Sequence, residues 1–266
     1  MSDPQRLWSV TTMVKLGLGT SDALVNWAVN TASEYAIDNL DVLAPLAARD
    51  RAGAIKLVKD SRWASSSKAA ARGTDVHKAA EALALGQPIE VEPHVQPYVD
   101  QYLSFLDRHA PEFLMSEAPV YNPTYGYAGT CDGIMQLDGK RVVFDLKTTA
   151  HAPDSGKSRP PFPEVALQLV AYRRAELVGV MSEMRYASGK RYYLYNPDAQ
   201  HAVMPETDGA VCIVISPYDL MVVPVRTDDE VWRAWRHVME CARWQVATSR
   251  NVFGPPITTP ARSVAA

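Results

Sequence analysis

A chain of 266 residues with a formal net charge of −3 is long enough for one large domain or two small ones. That balance excludes a wholly basic, histone-like binder but leaves room for a local basic surface. Apolar residues at 47% and charged residues at 21% describe an ordinary globule. Cys131, Cys212 and Cys241 lack C-x-x-C spacing, so neither a zinc site nor a disulfide framework is expected. A reducing, cytoplasmic compartment is the default. The opening MSDPQRLWSV has Asp3, Pro4 and Arg6 where a leader peptide needs an apolar run. The longest apolar run, 211–215, is far too short to span a bilayer, so no membrane partner is expected.

In chain order, residues 1–70 read as a helical extension packed on a core, with Trp27, Ala28, Ala36, Leu40, Leu43 and Leu46 near helical spacing. Residues 49–78 hold eight basic residues against three acids, net +5, with Trp63 and a serine run among them. Such a stretch suits either a solvated helix face or a track for a phosphate backbone. Thr74 is placed to cap a helix that Gly86 stops. His77 and Glu81 share one face of it. A second helix is expected over 94–108, with Tyr98, Tyr102, Phe105 and Leu106 inward. FLMSEAPVY, AGTCDGIMQL and RVVFDLKTT then read as three strands, joined by turns at PTYG and DG. A polar, proline-rich loop over 151–163 carries Lys157 and Arg159, and EVALQLVAYRRAEL follows as an amphipathic helix. Strands at 190–195, 211–216 and 221–225 precede a helix over 228–247 that buries Val231, Trp235, Val238 and Ala242. The tail from Pro255 reads as disordered, and no internal repeat is evident. The domain reading is an extension over 1–70, a main domain over 71–250 and a flexible tail over 251–266.

Turn chemistry sets the register. A two-residue DG loop places Leu137 opposite Lys140, and therefore Asp132 opposite Asp145 on one face, about 5 Å apart at Cβ. A four-residue PTYG loop places Asn122 opposite Tyr127, and Glu117 opposite Asp132. Lys147 points to the same face roughly 6–7 Å beyond Asp145. Carboxylates side by side on neighbouring strands repel. A hard divalent cation relieves that repulsion and, with a bound phosphate, supports phosphodiester cleavage. A D-x-K pattern alone says little, since Asp138-Gly139-Lys140 shows it at a turn.

The run GTDVH, SEAPV, GTCDGI, FDLKTT and QLVAY resembles the motif order of the PD-(D/E)XK nuclease superfamily, most of all its RecB-type branch with phage recombination exonucleases. The likeness covers residues 72–180, and WSVTTMV and LVNWA resemble the helical lead-in of the phage members. It implies a restriction-endonuclease-like α/β fold, a mixed central sheet flanked by helices with an αβββαβ core. It implies Mg²⁺ or Mn²⁺ held by Asp132 and Asp145, with the Leu146 carbonyl, His77 and Glu117 as further ligands, and Lys147 as the catalytic lysine. Gln168 and Tyr172 would meet DNA near the cleaved phosphate, and Lys157, Arg159 and Arg72 are further candidate DNA contacts. Some relatives hold an iron–sulfur cluster on four cysteines; three here argue against one.

The expected function is metal-dependent DNA hydrolysis, exonucleolytic by resemblance, in recombination or DNA-end processing. DNA is the expected partner, with a phage or host recombination protein beside it, in the host cytoplasm if the gene is phage-borne. An endonuclease with the same site and a silent DNA-binding or packaging component are the alternatives.

Overall fold

The structure is a computed structural model and describes residues 5–157, 159–179, 182–185 and 191–255. Its framework is a mixed, mostly antiparallel open sheet with helices on both faces. Strand β1 (Gln5–Ser9) leads into α1 (Val10–Leu18), α2 (Asp22–Asp38), α3 (Leu40–Arg49), α4 (Arg51–Ala84) and α5 (Gln96–His109). Strands β2 (Glu112–Asn122), β3 (Tyr127–Leu137) and β4 (Lys140–Thr148) follow, then α6 (Glu164–Arg173). The chain continues through β5 (Leu177–Gly179), β6 (Ser182–Arg185), β7 (Arg191–Tyr195), β8 (His201–Val203), β9 (Gly209–Ile215) and β10 (Leu220–Val225). It closes with α7 (Asp229–Val246) and a short 3₁₀ turn over Thr248–Asn251. The main strand order is β10-β9-β4-β3-β1-β7-β6, and β2, β5 and β8 extend from the other edge of β3. Only the β1–β3 and β4–β9 pairs are parallel among the described strands.

The two larger cores among the described residues form because β3, β4 and β9 bury side chains on both faces. One lies under α1, α6 and α7, where Met13, Leu169, Trp235 and Met239 meet Ile134, Val143 and Val214. The other lies under α4 and α5, where Val76, Tyr98, Tyr102 and Phe105 meet Met135, Phe144, Ile213 and Ile215. Helix α7 fits its place because Trp235, Val238, Met239 and Ala242 recur at three- and four-residue steps. The Asp228 carboxylate caps it by accepting from the Glu230 and Val231 amides. Truncating the fully buried Trp235 to Ala is expected to cost about 3–5 kcal/mol. Gly17 lets α1 approach α7, since a Cβ there would run into the Val238 carbonyl.

The N-terminal reading needs correction. Residues 5–9 form a strand in the sheet, and Val10, Met13 and Val14 of α1 are core residues. The alternating pattern of so short a strand was hidden by the helical run behind it. Thr74 is not a helix start. Helix α4 runs unbroken from Arg51 to Ala84, across the expected 70/71 boundary. The Thr74 hydroxyl donates to the Ala70 carbonyl instead of capping, the alternative that threonine takes inside a helix. Asp50 is the real cap, accepting from the Gly53 amide. Gly86 does end the helix, at φ 64°. Among the described residues no helix is long and apolar enough to cross a membrane. Residues 252–255 are irregular; the remainder of the expected tail, 256–266, lies outside the described residues.

Candidate metal centre

Both predicted hairpin registers appear. Asn122 pairs with Tyr127, Ala118 with Cys131 and Ser116 with Gly133, which sets Glu117 across from Asp132. The Asn122 side chain holds this turn by accepting from the Tyr125 amide and donating to the Arg174 carbonyl. Leu137 pairs with Lys140, and the ladder runs to Gly133 opposite Phe144. Asp138 and Gly139 both take positive φ, 48° and 78°, as a type I′ turn requires.

One rung further the expectation fails. Pairing stops at Gly133–Phe144, so Asp132 and Asp145 do not form a rung. On its other edge β4 stays paired with β9 throughout, with Asp145 beside Cys212 and Lys147 beside Val214. Strand β1 takes the same edge of β3 further along, in parallel, opposite Tyr127 and Ala128. The sheet therefore forks at Asp132. A fork leaves backbone donors without a ladder partner, and buried ones must find another. The Asp132 carboxylate supplies it, accepting from the Leu146 amide at 2.6 Å.

The side-chain alternation slips at the same place. Cys131 and Ile134 lie in the same core although three residues apart, as do Met115 and Ala118. Regular strands would put such pairs on opposite faces. Glu117 sits at the slip with φ 46°, a left-handed conformation that a glutamate adopts only under constraint.

Helix α4 brings His77 to the fork, its Nδ1 3.7 Å from Asp132 Oδ2. His77, Glu117 and Asp132 each offer one ligand atom, all within 4.8 Å of one another. Burial pushes the Glu117 carboxyl up to about 7, and the charges of Asp132 and, more weakly, Glu81 add to it against the pull of His77. Beside the cluster, Lys147 Nζ lies 2.5 Å from Asp145 Oδ2, a close ion pair. Burial raises the Asp145 carboxyl above its ordinary range while Lys147 opposes it. Burial alone would lower the Lys147 ammonium, but the Asp145 and Asp132 carboxylates outweigh it and hold it above its ordinary value.

These donors fit a divalent cation. Two carboxylates and an imidazole converge there, and the Asp132 charge adds to burial in raising the Glu117 carboxyl, a cost that a bound cation would relieve. One imidazole nitrogen with two carboxylate oxygens suits a transition-row ion such as Mn²⁺ better than Mg²⁺, which prefers oxygen throughout.

The expected site residues divide. His77, Glu117 and Asp132 come together, with Asp145 and Lys147 alongside. Leu146, expected to offer its carbonyl, meets the cluster through its amide. Tyr172 is a core residue, not a surface contact. Its ring fills the space over Gly129, where a Cβ would fall 2.7 Å from Cε1. Arg159 is committed to Asp219 at 2.5 Å, and its side chain is only 11% exposed. Gln168 and Arg72 are half-buried and Lys157 is exposed. Glu81, seen in the sequence only as a neighbour of His77, joins the electrostatics of Glu117. The signal was its position one turn beyond His77.

No protein-family model matches the chain, and no curated protein matches it. A solved structure described as "Crystal structure of SSO0001" shares 14% identity over 93% of this chain and 80% of its own, with a TM-score of 0.33. A likeness that weak carries no argument about fold or function, and the reading rests on the residues themselves.

Proposed function

We propose that the chain is a Mg²⁺- or Mn²⁺-dependent nuclease that hydrolyses DNA phosphodiester bonds from ends, in recombination or DNA-end processing. The single observation behind this reading is the meeting of His77, Glu117 and Asp132 at a sheet fork, beside the Asp145–Lys147 pair. The order α4-β2-β3-β4-α6-β9 supports the αβββαβ core of the PD-(D/E)XK superfamily as the fold.

His77, Glu117 and Asp132 would hold the cation, beside the Asp145–Lys147 pair. When bound, the cation supplies an activated water and charge neutralisation at the scissile phosphate. Asp145 keeps Lys147 pointed along the exit of β4. Held there as an ammonium, Lys147 faces the phosphate as a fixed positive charge and orients rather than abstracts. Asp132 keeps the fork open by engaging the Leu146 amide, and so fixes the distance between cluster and lysine.

The test is a time course on end-labelled linear duplex and on covalently closed circles, with Mg²⁺, Mn²⁺ or EDTA. Loss of linear DNA alone supports the exonuclease, and 5′ against 3′ label gives its polarity. Loss of circles as well makes it an endonuclease. Persistence of both substrates with either metal sinks the enzymatic reading and leaves a silent DNA-binding component.

A further inference from the structure

Helix α4 carries more than His77. Stepping back from His77 by four and three residues in turn gives Gly73, Ala70, Ser66, Trp63, Lys59 and Lys56. On an α-helix these positions form one line. It runs roughly 30 Å at about 1.5 Å per residue. Its inner end is tied to the candidate site. Gly73 faces the end of β4, where a Cβ would lie 3.3 Å from Thr148 Oγ1. Ala70 is exposed, and the Ser66 hydroxyl is turned back to the Trp63 carbonyl, so the line stays low there. Helices α2 and α3 pack against α4, yet this line is left open, with Trp63 59% exposed.

The chemistry along the line has a direction. Small residues lie next to the metal ligand, then comes an open indole, then lysines. The Arg62 guanidinium sits 4.9 Å from the Trp63 ring centre, a cation–π contact that steadies the ring and brings charge beside it. Residues 51–72 hold six basic residues against one acid, net +5, in a chain of net −3. Among the described residues Lys56 pairs with Asp60, and no ion pair holds Lys59.

A polynucleotide strand with unpaired bases is the complement of such a line. Its phosphates answer the positive charge, and its bases offer flat faces to an open aromatic ring. A duplex keeps those faces stacked on one another, so it gains nothing from the indole. We propose that this line is a track for a single-stranded DNA tail leading to the metal centre, with Trp63 stacking on a base and Lys59, Arg62 and Lys56 facing phosphates. The proposal rests on the nuclease reading for where the strand leads, but binding along the track requires no cleavage.

The test is fluorescence anisotropy of a labelled oligo-dT of about twenty nucleotides with the full chain in EDTA. The competitor is an unlabelled duplex of equal length. Oligo-dT is expected to bind more tightly than the duplex. Trp63→Ala weakens it about tenfold or more, Trp63→Phe recovers most of the loss, and Lys59→Ala lowers the log–log salt slope by about 0.7. Melting temperatures check that each variant is folded. Binding by Trp63→Ala within about twofold of the parent, or a duplex that competes as well as oligo-dT, overturns the track. Mn²⁺ titration and cleavage of linear DNA by the parent chain are read alongside. Cleavage with Trp63-independent binding sinks the track alone, whereas Trp63-dependent binding without Mn²⁺ uptake or cleavage sinks the nuclease reading alone.

Discussion

The β3–β4 hairpin writes one pattern twice, as Asp138-Gly139-Lys140 and as Asp145-Leu146-Lys147. At the first, the aspartate side chain is 69% exposed, 3.4 Å from His109, and does the work of a turn. At the second, the aspartate is 6% exposed and faces a lysine at the end of a buried strand. Water and counterions screen the first pair. The second pair has only its protein neighbours, so each charge there is felt by the next. Spacing is identical; what separates the two is that β4 leaves β3 between them and opens the sheet where a third acid and a histidine enter.

The largest effect expected from that contrast is on cleavage. Asp145→Ala and Lys147→Ala should slow DNA hydrolysis by about 100-fold or more, while Asp138→Ala and Lys140→Ala stay within about twofold. Equal losses at both places would break the comparison. Next comes cation binding, measured calorimetrically with Mn²⁺. His77→Ala and Asp132→Asn should each weaken it by about 10–100-fold, and an unchanged affinity in His77→Ala would remove the histidine from the centre.

Backbone strain divides the hairpins further. Glu117→Gly should raise the melting temperature in EDTA, worth about 1 kcal/mol, because glycine accepts the positive φ without penalty. The same change should weaken Mn²⁺ binding. Asp138→Gly should gain less, since aspartate tolerates that conformation in a type I′ turn, and should leave Mn²⁺ binding alone. A lower melting temperature in Glu117→Gly would mean that the φ at this position carries no strain.

The smallest effect belongs to Asp219, an acid with a basic partner like Asp145 but outside the cluster. Burial would raise its carboxyl, yet bonds from Arg159 and Ser216 prevail and hold it below the usual range. A lowered native pKa stabilises above the ordinary carboxylate range and ceases to do so as pH falls through the native value. Asp219→Asn should therefore cost about 1 kcal/mol at pH 7, and the difference from the parent should fade in strong acid. Persistence of the difference there would show that the effect is packing, not charge.

Much of this was legible because turns fix registers. The DG and PTYG turns placed Glu117 opposite Asp132 and brought β3 and β4 together as far as Gly133 and Phe144. The fork was not legible, because it depends on β1, far back in the sequence, taking the edge of β3 opposite Tyr127 and Ala128 that β4 has left. The positive φ of Glu117 had no signal, since glutamate rarely marks such a position. Tyr172 looked like a contact by its spacing from Gln168, and only the glycine across from its ring reveals that it is filling a hole. Arg159 looked free because Asp219 lies far away in sequence.

Asp132 holds the fork with the same oxygen, Oδ2, that approaches His77. An oxygen shared between an amide and a cation cannot serve both without adjustment. The Leu146 N–H is thus a built-in gauge. Its hydrogen-exchange rate should follow cation occupancy while amides in the middle of β9 keep their pace, so one backbone proton would report loading of the centre in a sample that is given no DNA.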